Sequence, residues 1–263
     1  MNTRGGTADF IPDWPAVTGR GGKLVIGNWK MNGTRAMLPM LSSLAAIAHR
    51  TPDVAVGIAV PHTLIALAHE AVPELIIGAQ DIHEAASGAH TGSISAAMAR
   101  DAGARFTILG HSEQRARSGH SNEALSARIL RATREELTAV VCCGEARAGE
   151  ESGAAGRAVS EELACVLAGL ASGKRLVVAY EPVWAIGSGI RPADNQIEGV
   201  LAAIRATLLT LFPDEAASIP ILYGGSVDPA NAGRISRIPG AQGLLVGTAS
   251  LSAASFQQVV AAM

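Results

Sequence analysis

The sequence predicts an α/β protein that folds as a single (βα)8 barrel with a parallel eight-stranded core. Eight short apolar runs alternate with eight helical patterns along the chain. No linker or change in composition divides the chain, and a length of 263 residues suits one such barrel, which commonly has about 250. A hydrophobic content of 48% is ample for a core and excludes disorder for most of the chain.

The apolar runs are the predicted strands. They lack the alternation of apolar and polar residues that marks a half-buried strand, which is typical of strands covered on both faces of a parallel sheet. Eight units in strict alternation favour a closed barrel over an open doubly wound sheet. In chain order the predicted strands are Leu24–Asn28, Val54–Val60, Leu75–Ala79, Arg105–Leu109, Ala139–Cys143, Leu176–Tyr180, Ile219–Leu222 and Gly243–Val246.

Helical patterns fill the segments between these runs. Strands that alternate with helices pair in parallel, because a parallel pair needs a long crossover connection. In chain order the predicted helices are Ala36–His49, Leu64–Ala71, Ser95–Ala102, Glu123–Glu136, Gly156–Leu170, Gln196–Leu211, Pro229–Ser236 and Ala253–Ala262.

The first 22 residues lie outside this alternation. They contain prolines, glycines and aspartates but no continuous apolar stretch, so they are not expected to form a signal peptide. We expect a loosely ordered extension over residues 1–22, followed by one catalytic barrel domain over residues 23–263.

The amino-acid composition indicates a cellular compartment for this protein and excludes some classes of partner. The odd count of three cysteines suits a reducing cytosol better than secretion, so a cytoplasmic location is expected. The adjacent Cys142 and Cys143 should point to opposite faces of a strand and fill the core. No apolar run approaches the ~18 residues that span a bilayer. A formal charge of −2 and an aromatic content of 3% indicate no nucleic-acid or membrane partner.

Chemistry in such a barrel is expected at the carboxyl ends of the strands. Lys30 follows the first strand, and its compact ammonium suits a phosphate or a developing oxyanion. His111 follows the fourth strand, where Ser112 can cap a short helix whose dipole favours the neutral imidazole. Glu181 follows the buried sixth strand, an environment that suits a general base. These side chains together predict proton transfer.

The segment after Glu181 is an apolar loop bounded by proline and glycine. Such a loop, when it carries a tryptophan, is typical of a lid that packs over a site and excludes water. The predicted lid residues are Pro182, Val183, Trp184, Ala185, Ile186, Gly187, Ser188 and Gly189.

The last two strand ends are rich in glycine and small hydroxyl residues. The seventh strand is followed by Gly224–Ser226, and the eighth by Gly247 and Thr248. In a (βα)8 barrel these two loops commonly form a phosphate site from backbone N–H groups. We expect Gly243 to belong to the same group of glycines.

Signatures of other chemistries are missing from the sequence. It contains no complete dinucleotide fingerprint, no P-loop, no helical zinc motif and no nucleophile elbow. We therefore expect proton transfer without a metal or a cofactor.

Seven longer motifs follow one another along the chain. They are Asn-Trp-Lys-Met-Asn (28–32), Gly-Ala-Gln (78–80), His-Thr-Gly (90–92), Gly-His-Ser-Glu (110–113), Cys-Cys-Gly-Glu (142–145), Tyr-Glu-Pro-Val-Trp-Ala-Ile-Gly (180–187) and Tyr-Gly-Gly-Ser-Val (223–227). Together they resemble the triosephosphate isomerase family from about Lys23 to the C-terminus. Their order and their place at strand ends leave little room for chance agreement.

The resemblance implies a reaction and a role for each side chain. The reaction is the interconversion of dihydroxyacetone phosphate and D-glyceraldehyde 3-phosphate through an enediol(ate), in glycolysis and gluconeogenesis. Glu181 would be the base, and neutral His111 would polarise the carbonyl and shuttle the hydroxyl proton. Lys30 and Asn28 would hold the substrate oxygens, with Glu113 ordering Lys30.

The resemblance also implies a phosphate site and a subunit partner. Gly187 of the lid, with Ser226, Gly247 and Thr248, would hold the phosphate through backbone N–H donors. The family is usually a homodimer, in which Thr91 on the third loop would reach the site of the other subunit.

Some positions depart from the family's usual residues. Thr248 stands where glycine is common, and we expect a right-handed or extended backbone there because a left-handed one would cost about 1–2 kcal/mol. Ser93 and Gln114 replace an acid and an arginine that can pair between subunits. Because both partners are absent together, the dimer is expected to survive. The lid hinge Ile190–Pro192 also differs, which should affect lid rates more than chemistry.

Three other functions stay open at this point. A paralogue that isomerises a longer ketose phosphate, such as a tetrulose phosphate, is supported only by Thr248 and the altered hinge. The second alternative is an aldolase in which Lys30 forms a Schiff base with the substrate. A catalytically silent barrel that binds phosphorylated metabolites is a third reading, and the joint presence of Glu181, His111 and Lys30 argues against it.

Overall fold

The computed structural model describes residues 22–119, 121–146, 153–185 and 191–263. Its eight strands form a closed parallel barrel in which each strand pairs with the next and the last pairs with the first. The strands are β1 Lys23–Asn28, β2 Val54–Ala59, β3 Ile76–Ala79, β4 Phe106–Leu109, β5 Thr138–Cys143, β6 Leu176–Tyr180, β7 Ile221–Tyr223 and β8 Gly243–Val246. The predicted (βα)8 barrel is confirmed. Of the predicted extension, residues 1–21 lie outside the described part of the chain.

The predicted start of β7 was two residues too early. Pro220 has no N–H to donate to a neighbouring strand, so the ladder begins at Ile221. The carbonyl of Pro220 still accepts a hydrogen bond from the N–H of Val178 at 3.0 Å, which brings the chain alongside β6.

Nine α-helices are present in the described part of the chain, and eight of them correspond to the predicted ones. They are α1 Leu38–Arg50, α2 Ile65–Ala71, α3 Ala96–Asp101, α4 Ser112–Ser118, α5 Asn122–Arg134, α6 Ala154–Leu167, α7 Asp194–Leu211, α8 Ala232–Ile235 and α9 Ala253–Ala261. Helix α4 is the short helix expected after the fourth strand. Helix α8 begins later than predicted because Asp228 and Asn231 exchange hydrogen bonds at 3.1 and 2.9 Å, which holds the preceding residues in a turn.

Apolar side chains divide into two layers. The inner layer contains strand residues alone, with Phe106 among the largest, and the outer layer joins strands to helices. Gly78 leaves room for the Phe106 ring, since a Cβ at Gly78 would lie 2.3 Å from Cζ of Phe106. Cys142 belongs to the inner layer and Cys143 to the outer one, which confirms the prediction for this adjacent pair.

Gly243 was wrongly grouped with the phosphate-binding glycines. It is the first residue of β8, at the amino end of the strand, whereas the predicted site lies at the carboxyl end. A Cβ at Gly243 would lie 1.9 Å from the carbonyl oxygen of Leu24. This glycine therefore allows β8 to approach β1 and close the barrel.

Among the described residues, no helix is both long enough and apolar enough to cross a bilayer.

Candidate active site

Three of the predicted catalytic side chains lie on one rim of the barrel. Lys30 follows β1, His111 follows β4 and Glu181 follows β6. Parallel strands end on the same rim, which is why residues far apart in the sequence meet there. A chain of contacts leads from Lys30 through Glu113 and His111 to Glu181.

Glu181 is buried and faces His111. Its side chain is 2% exposed, and its Oε1 lies 3.3 Å from Nε2 of His111. Its Oε2 accepts a hydrogen bond from the backbone N–H of Ser112 at 3.0 Å. Within the described residues, Oε1 is buried and engages in no hydrogen bond. This oxygen can therefore accept a proton from a molecule bound on the rim.

His111 is oriented by the first turn of α4. Its Nδ1 accepts a hydrogen bond from the backbone N–H of Glu113 at 3.2 Å. An accepting Nδ1 carries no proton, so the hydrogen-bond network assigns a neutral imidazole with its proton on Nε2. The expectation that Ser112 caps this helix was wrong. The helix already begins at Ser112, and the cap is His111, whose ring nitrogen accepts from the N–H of Glu113 in the first turn.

Lys30 has an uncommon backbone conformation. Its φ is 52°, in the left-handed region that residues other than glycine rarely adopt. The Oδ1 of Asn28 accepts a hydrogen bond from the N–H of Lys30 at 3.0 Å. The Nε2 of Gln80 donates to the carbonyl of Lys30 at 2.9 Å. Side chains at two strand ends thus fix both polar groups of the Lys30 backbone.

Gln80 is a positioning residue that the sequence reasoning missed. It also donates to the carbonyl of Ala59 at 3.2 Å, so one amide joins the loops after β1 and β2. The signal that marks it is a polar side chain directly after the buried strand β3.

The Lys30 ammonium is held by Glu113. Its Nζ lies 2.7 Å from Oε1 of Glu113. Burial acts to raise the pKa of Glu113, but the hydrogen bond and the positive charge of Lys30 outweigh it and hold the pKa below its usual value. Glu113 is therefore ionised at neutral pH and is held against the ammonium; its role in the reaction stays a prediction.

The first residues of the predicted lid are anchored to Glu145. The Nε1 of Trp184 donates to Oε1 of Glu145 at 2.6 Å, and the hydroxyl of Tyr180 donates to the same oxygen at 3.1 Å. Val183–Ala185 forms a 3-10 helix, and the N–H of Val183 donates to the carbonyl of Glu145 at 3.2 Å. The sequence analysis assigned no role to Glu145, although a carboxylate two residues after the end of the buried strand β5 was its signal.

The rest of the predicted lid cannot be placed. Ile186, Gly187, Ser188 and Gly189 lie outside the described residues. Gly187 as a phosphate donor therefore stays a prediction.

The loops after β7 and β8 border the same rim. A Cβ at Gly224 would lie 3.1 Å from Cγ of Glu181, and a Cβ at Gly247 would lie 3.3 Å from Cε of Lys30. The backbone of both loops thus approaches the catalytic side chains closely, with Ser226 two residues after Gly224. Thr248 begins the 3-10 helix Thr248–Leu251, so the expected right-handed backbone is confirmed.

Thr91 lies in an exposed loop after β3. No group of His, Cys, Asp or Glu side chains in the described part of the chain could hold a metal ion.

The chain was compared with known families and proteins. It matches the family model described as triosephosphate isomerase over residues 23–263. It is similar to the protein named triosephosphate isomerase from Ruegeria sp. (strain TM1040), with 45% identity over 241 residues that cover 92% of this chain and 98% of the relative. The relative of the same name from Jannaschia sp. (strain CCS1) is 45% identical over 244 residues, with 92% and 98% covered.

A solved structure gives the same result. The crystal structure of triosephosphate isomerase from Bartonella henselae matches with a TM-score of 0.83 and 33% sequence identity. The match covers 91% of this chain and 98% of that chain.

Proposed function

This chain belongs to the triosephosphate isomerase family, and we propose that Glu181, His111, Lys30 and Asn28 carry the family's reaction in it. The protein is an isomerase that interconverts dihydroxyacetone phosphate and D-glyceraldehyde 3-phosphate. The observation that carries the assignment of residues is the 3.3 Å contact between buried Oε1 of Glu181 and Nε2 of neutral His111. This pair supplies a base and a hydrogen-bond donor side by side.

The proton transfers follow from this pair. Glu181 removes a proton from C1 of dihydroxyacetone phosphate while Nε2 of His111 donates to the oxygen on C2. The negative charge of the enediolate resides mainly on that oxygen. His111 then moves the hydroxyl proton between the two oxygens, and Glu181 returns a proton to C2. Each proton removed is returned, so the product is an isomer and no co-reactant is needed.

Lys30 stabilises the charge that develops in the enediolate. Its ammonium is presented on the rim by Glu113, and its backbone is fixed by Asn28 and Gln80. A positive charge that is already oriented before reaction stabilises the enediolate with little reorganisation. Asn28, the last residue of β1, is 6% exposed, and we assign its side chain to the substrate oxygens.

We assign phosphate binding to Ser226, Gly247 and Thr248. The close approach of the Gly224 and Gly247 backbones to Glu181 and Lys30 supports this, because main-chain N–H groups must come near a phosphate to bind it. With the phosphate held there, the reacting carbons are directed toward Glu181. The lid residues from Pro182 onward would exclude water from the enediolate.

The substrate preference distinguishes this function from its alternative. The relatives share one name, so a paralogue that acts on a longer ketose phosphate is not favoured. We expect kcat/KM for D-glyceraldehyde 3-phosphate to exceed that for D-erythrose 4-phosphate by about 10-fold or more, since a pocket rejects one additional carbon by roughly this factor. A coupled assay on both substrates measures it. An equal or higher kcat/KM for the four-carbon sugar would favour the paralogue.

The active form proposed here is a homodimer. A groove of about 900 Å³ opens beside Lys30 and His111, and the loop over residues 86–93 is exposed throughout. Met31, in the same groove, is 97% exposed. An exposed apolar side chain and an extended loop that carries Thr91 are suited to an exchange of loops between two copies.

Gln114 does not leave a vacant partner at this interface. Its amide donates to Asp81 of the same chain, and Asp81 also pairs with Arg128 at 3.1 Å. The interface therefore lacks a charge pair but contains no orphaned charge from it.

Sedimentation equilibrium at micromolar concentration tests the dimer. We expect twice the mass of the 26.9 kDa chain for the wild type and one chain mass for Thr91→Arg, because the larger charged side chain would not enter the groove. Leu209→Arg, at a position 50% exposed on α7, is the matched control and should stay dimeric. A wild type that sediments only as a monomer contradicts the proposal.

The proposed location is the cytoplasm. All three cysteines are free, and Cys142 and Cys143 are buried in the core. Reduced cysteines used as core residues are typical of a reducing compartment.

A further inference from the structure

An ion pair behind the site joins two of the loops that carry it. Arg115 on α4 and Glu162 on α6 form this pair, with side chains that are 27% and 18% exposed. Neither residue lies among the side chains assigned to the reaction. Each also forms a hydrogen bond with backbone beside a catalytic residue. Arg115 binds Gly110, next to His111, and Glu162 binds Gly144, which contacts Glu181.

Arg115 holds the turn that precedes His111. Its Nε donates to the carbonyl of Gly110 at 2.9 Å. Gly110 has a φ of +74°, and a Cβ there would lie 3.2 Å from the carbonyl oxygen of Cys142. The turn is therefore packed between the Arg115 side chain and β5, and its position determines where His111 caps α4.

Glu162 holds the turn that abuts Glu181. Its Oε2 accepts a hydrogen bond from the N–H of Gly144 at 3.2 Å. A Cβ at Gly144 would lie 1.7 Å from the carbonyl oxygen of Glu181, so the two backbones are in direct contact. The N–H of Glu181 in turn donates to the carbonyl of Cys143 at 2.8 Å.

The geometry points to a positioning role for this pair. We propose, on the basis of the function proposed above, that the Arg115–Glu162 ion pair fixes the distance between His111 and Glu181 by linking the Gly110 turn to the Gly144 turn. One carboxylate and one guanidinium thereby connect the segments that follow β4, β5 and β6. Both residues are positioning residues, because they reach the substrate only through His111 and Glu181.

The link depends on the length of the Glu162 side chain and on both of its carboxylate oxygens. Burial raises the pKa of Glu162, against the opposing effect of Arg115, so the site does not favour the charged form strongly. Glutamine has the same reach but only one accepting oxygen, so it can hold Arg115 or Gly144 while its NH2 group faces the other donor. Aspartate keeps the charge but is one methylene too short to hold both.

Steady-state kinetics of Glu162→Asp and Glu162→Gln test the proposal. We expect Glu162→Asp to lower kcat by about 10-fold or more, because a displacement of about 1 Å between reacting groups can cost up to 10²-fold. The KM for dihydroxyacetone phosphate should change by less than about twofold, since the proposed phosphate donors lie on the loops after β7 and β8. Glu162→Gln keeps the reach but holds only one of the two turns, so it should also lower kcat, by about 3-fold or more, with KM again changed by less than about twofold.

A matched control separates positioning from general stability. Glu215 also accepts a hydrogen bond from a glycine N–H, that of Gly173, and one from the hydroxyl of Ser172 at 2.9 Å. These residues lie before β6, at the opposite end of the barrel. Glu215→Asp should lower the melting temperature as much as Glu162→Asp does, yet leave kcat unchanged.

The outcomes are distinct. A normal kcat for folded Glu162→Asp, or an equal loss of kcat in Glu215→Asp, overturns the positioning role. So does a folded Glu162→Gln variant with the kcat of the wild type. Failure of the proposed function has a different signature, since the wild type itself would then not isomerise triose phosphates.

Discussion

Replacement of Glu181 by glutamine is expected to lower kcat by about 10³-fold, with little change in KM for dihydroxyacetone phosphate. Glutamine is close to glutamate in size and can still accept the hydrogen bond that Ser112 donates at 3.0 Å. It cannot accept the proton that the reaction removes from C1, and general base catalysis contributes about 10²–10⁴-fold. Folding and substrate binding should therefore persist while the chemical step fails.

A coupled assay with a second variant and a control measures this effect. Glu181→Asp keeps the carboxylate but withdraws it by one methylene, and it should lose about 10²-fold in kcat. Glu161→Gln removes a carboxylate from the exposed face of α6 and should have no effect. Activity of Glu181→Gln within tenfold of the wild type would show that another group is the base.

Replacement of Lys30 by methionine is expected to lower kcat/KM by about 10³-fold. The substitution keeps an unbranched chain of similar length but removes the ammonium that Glu113 orients at 2.7 Å. It also leaves Glu113 as an unpaired negative charge near the enediolate, which adds to the loss. Part of the effect should appear in KM, because the same charge attracts the anionic substrate.

Two comparisons make the Lys30 experiment specific. Lys30→Arg restores the charge with a broader head group and should recover only part of the activity. Binding of 2-phosphoglycolate, measured by calorimetry, should weaken in Lys30→Met if the charge recognises the reacting oxygens. A Lys30→Met variant with kcat/KM within tenfold of the wild type would remove Lys30 from the proposed mechanism.

The fold was predictable because its signal is local. Each buried strand of the barrel is an apolar run in the sequence, and each is followed by a helical pattern. The same argument places Lys30, His111 and Glu181, since a polar residue directly after a buried strand must lie on the rim. What the sequence could not show is the order of contacts on that rim, which depends on closure of the barrel.

Contacts between distant segments explain what was missed. Glu145 holds Trp184, and Gln80 holds Lys30, through hydrogen bonds between loops that approach one another only in the folded barrel. The cap of α4 shows a different limit. Serine is a common helix cap, so sequence preference favoured Ser112. In the folded chain the helix begins at Ser112, and Nδ1 of His111 accepts the hydrogen bond from the N–H of Glu113.

The Arg115–Glu162 ion pair was missed for the same reason, because it joins segments that are distant in the sequence. Arg115 stands five residues after Gly110, within reach of its carbonyl, whereas Glu162 stands on the helix that follows the next strand, β5. No local pattern connects the two residues. The barrel brings them together by placing successive helices side by side.

Proton exchange observed by NMR is the most direct test of proton transfer by Glu181. Dihydroxyacetone phosphate is converted in D2O, and the deuterium content at C2 of the glyceraldehyde 3-phosphate product is followed with time. The wild type should form product labelled at C2, because Glu181 exchanges its captured proton with solvent before returning it. Glu181→Gln should form product about 10³-fold more slowly. Labelled product formed by Glu181→Gln at the wild-type rate would contradict the assignment of Glu181 as the base.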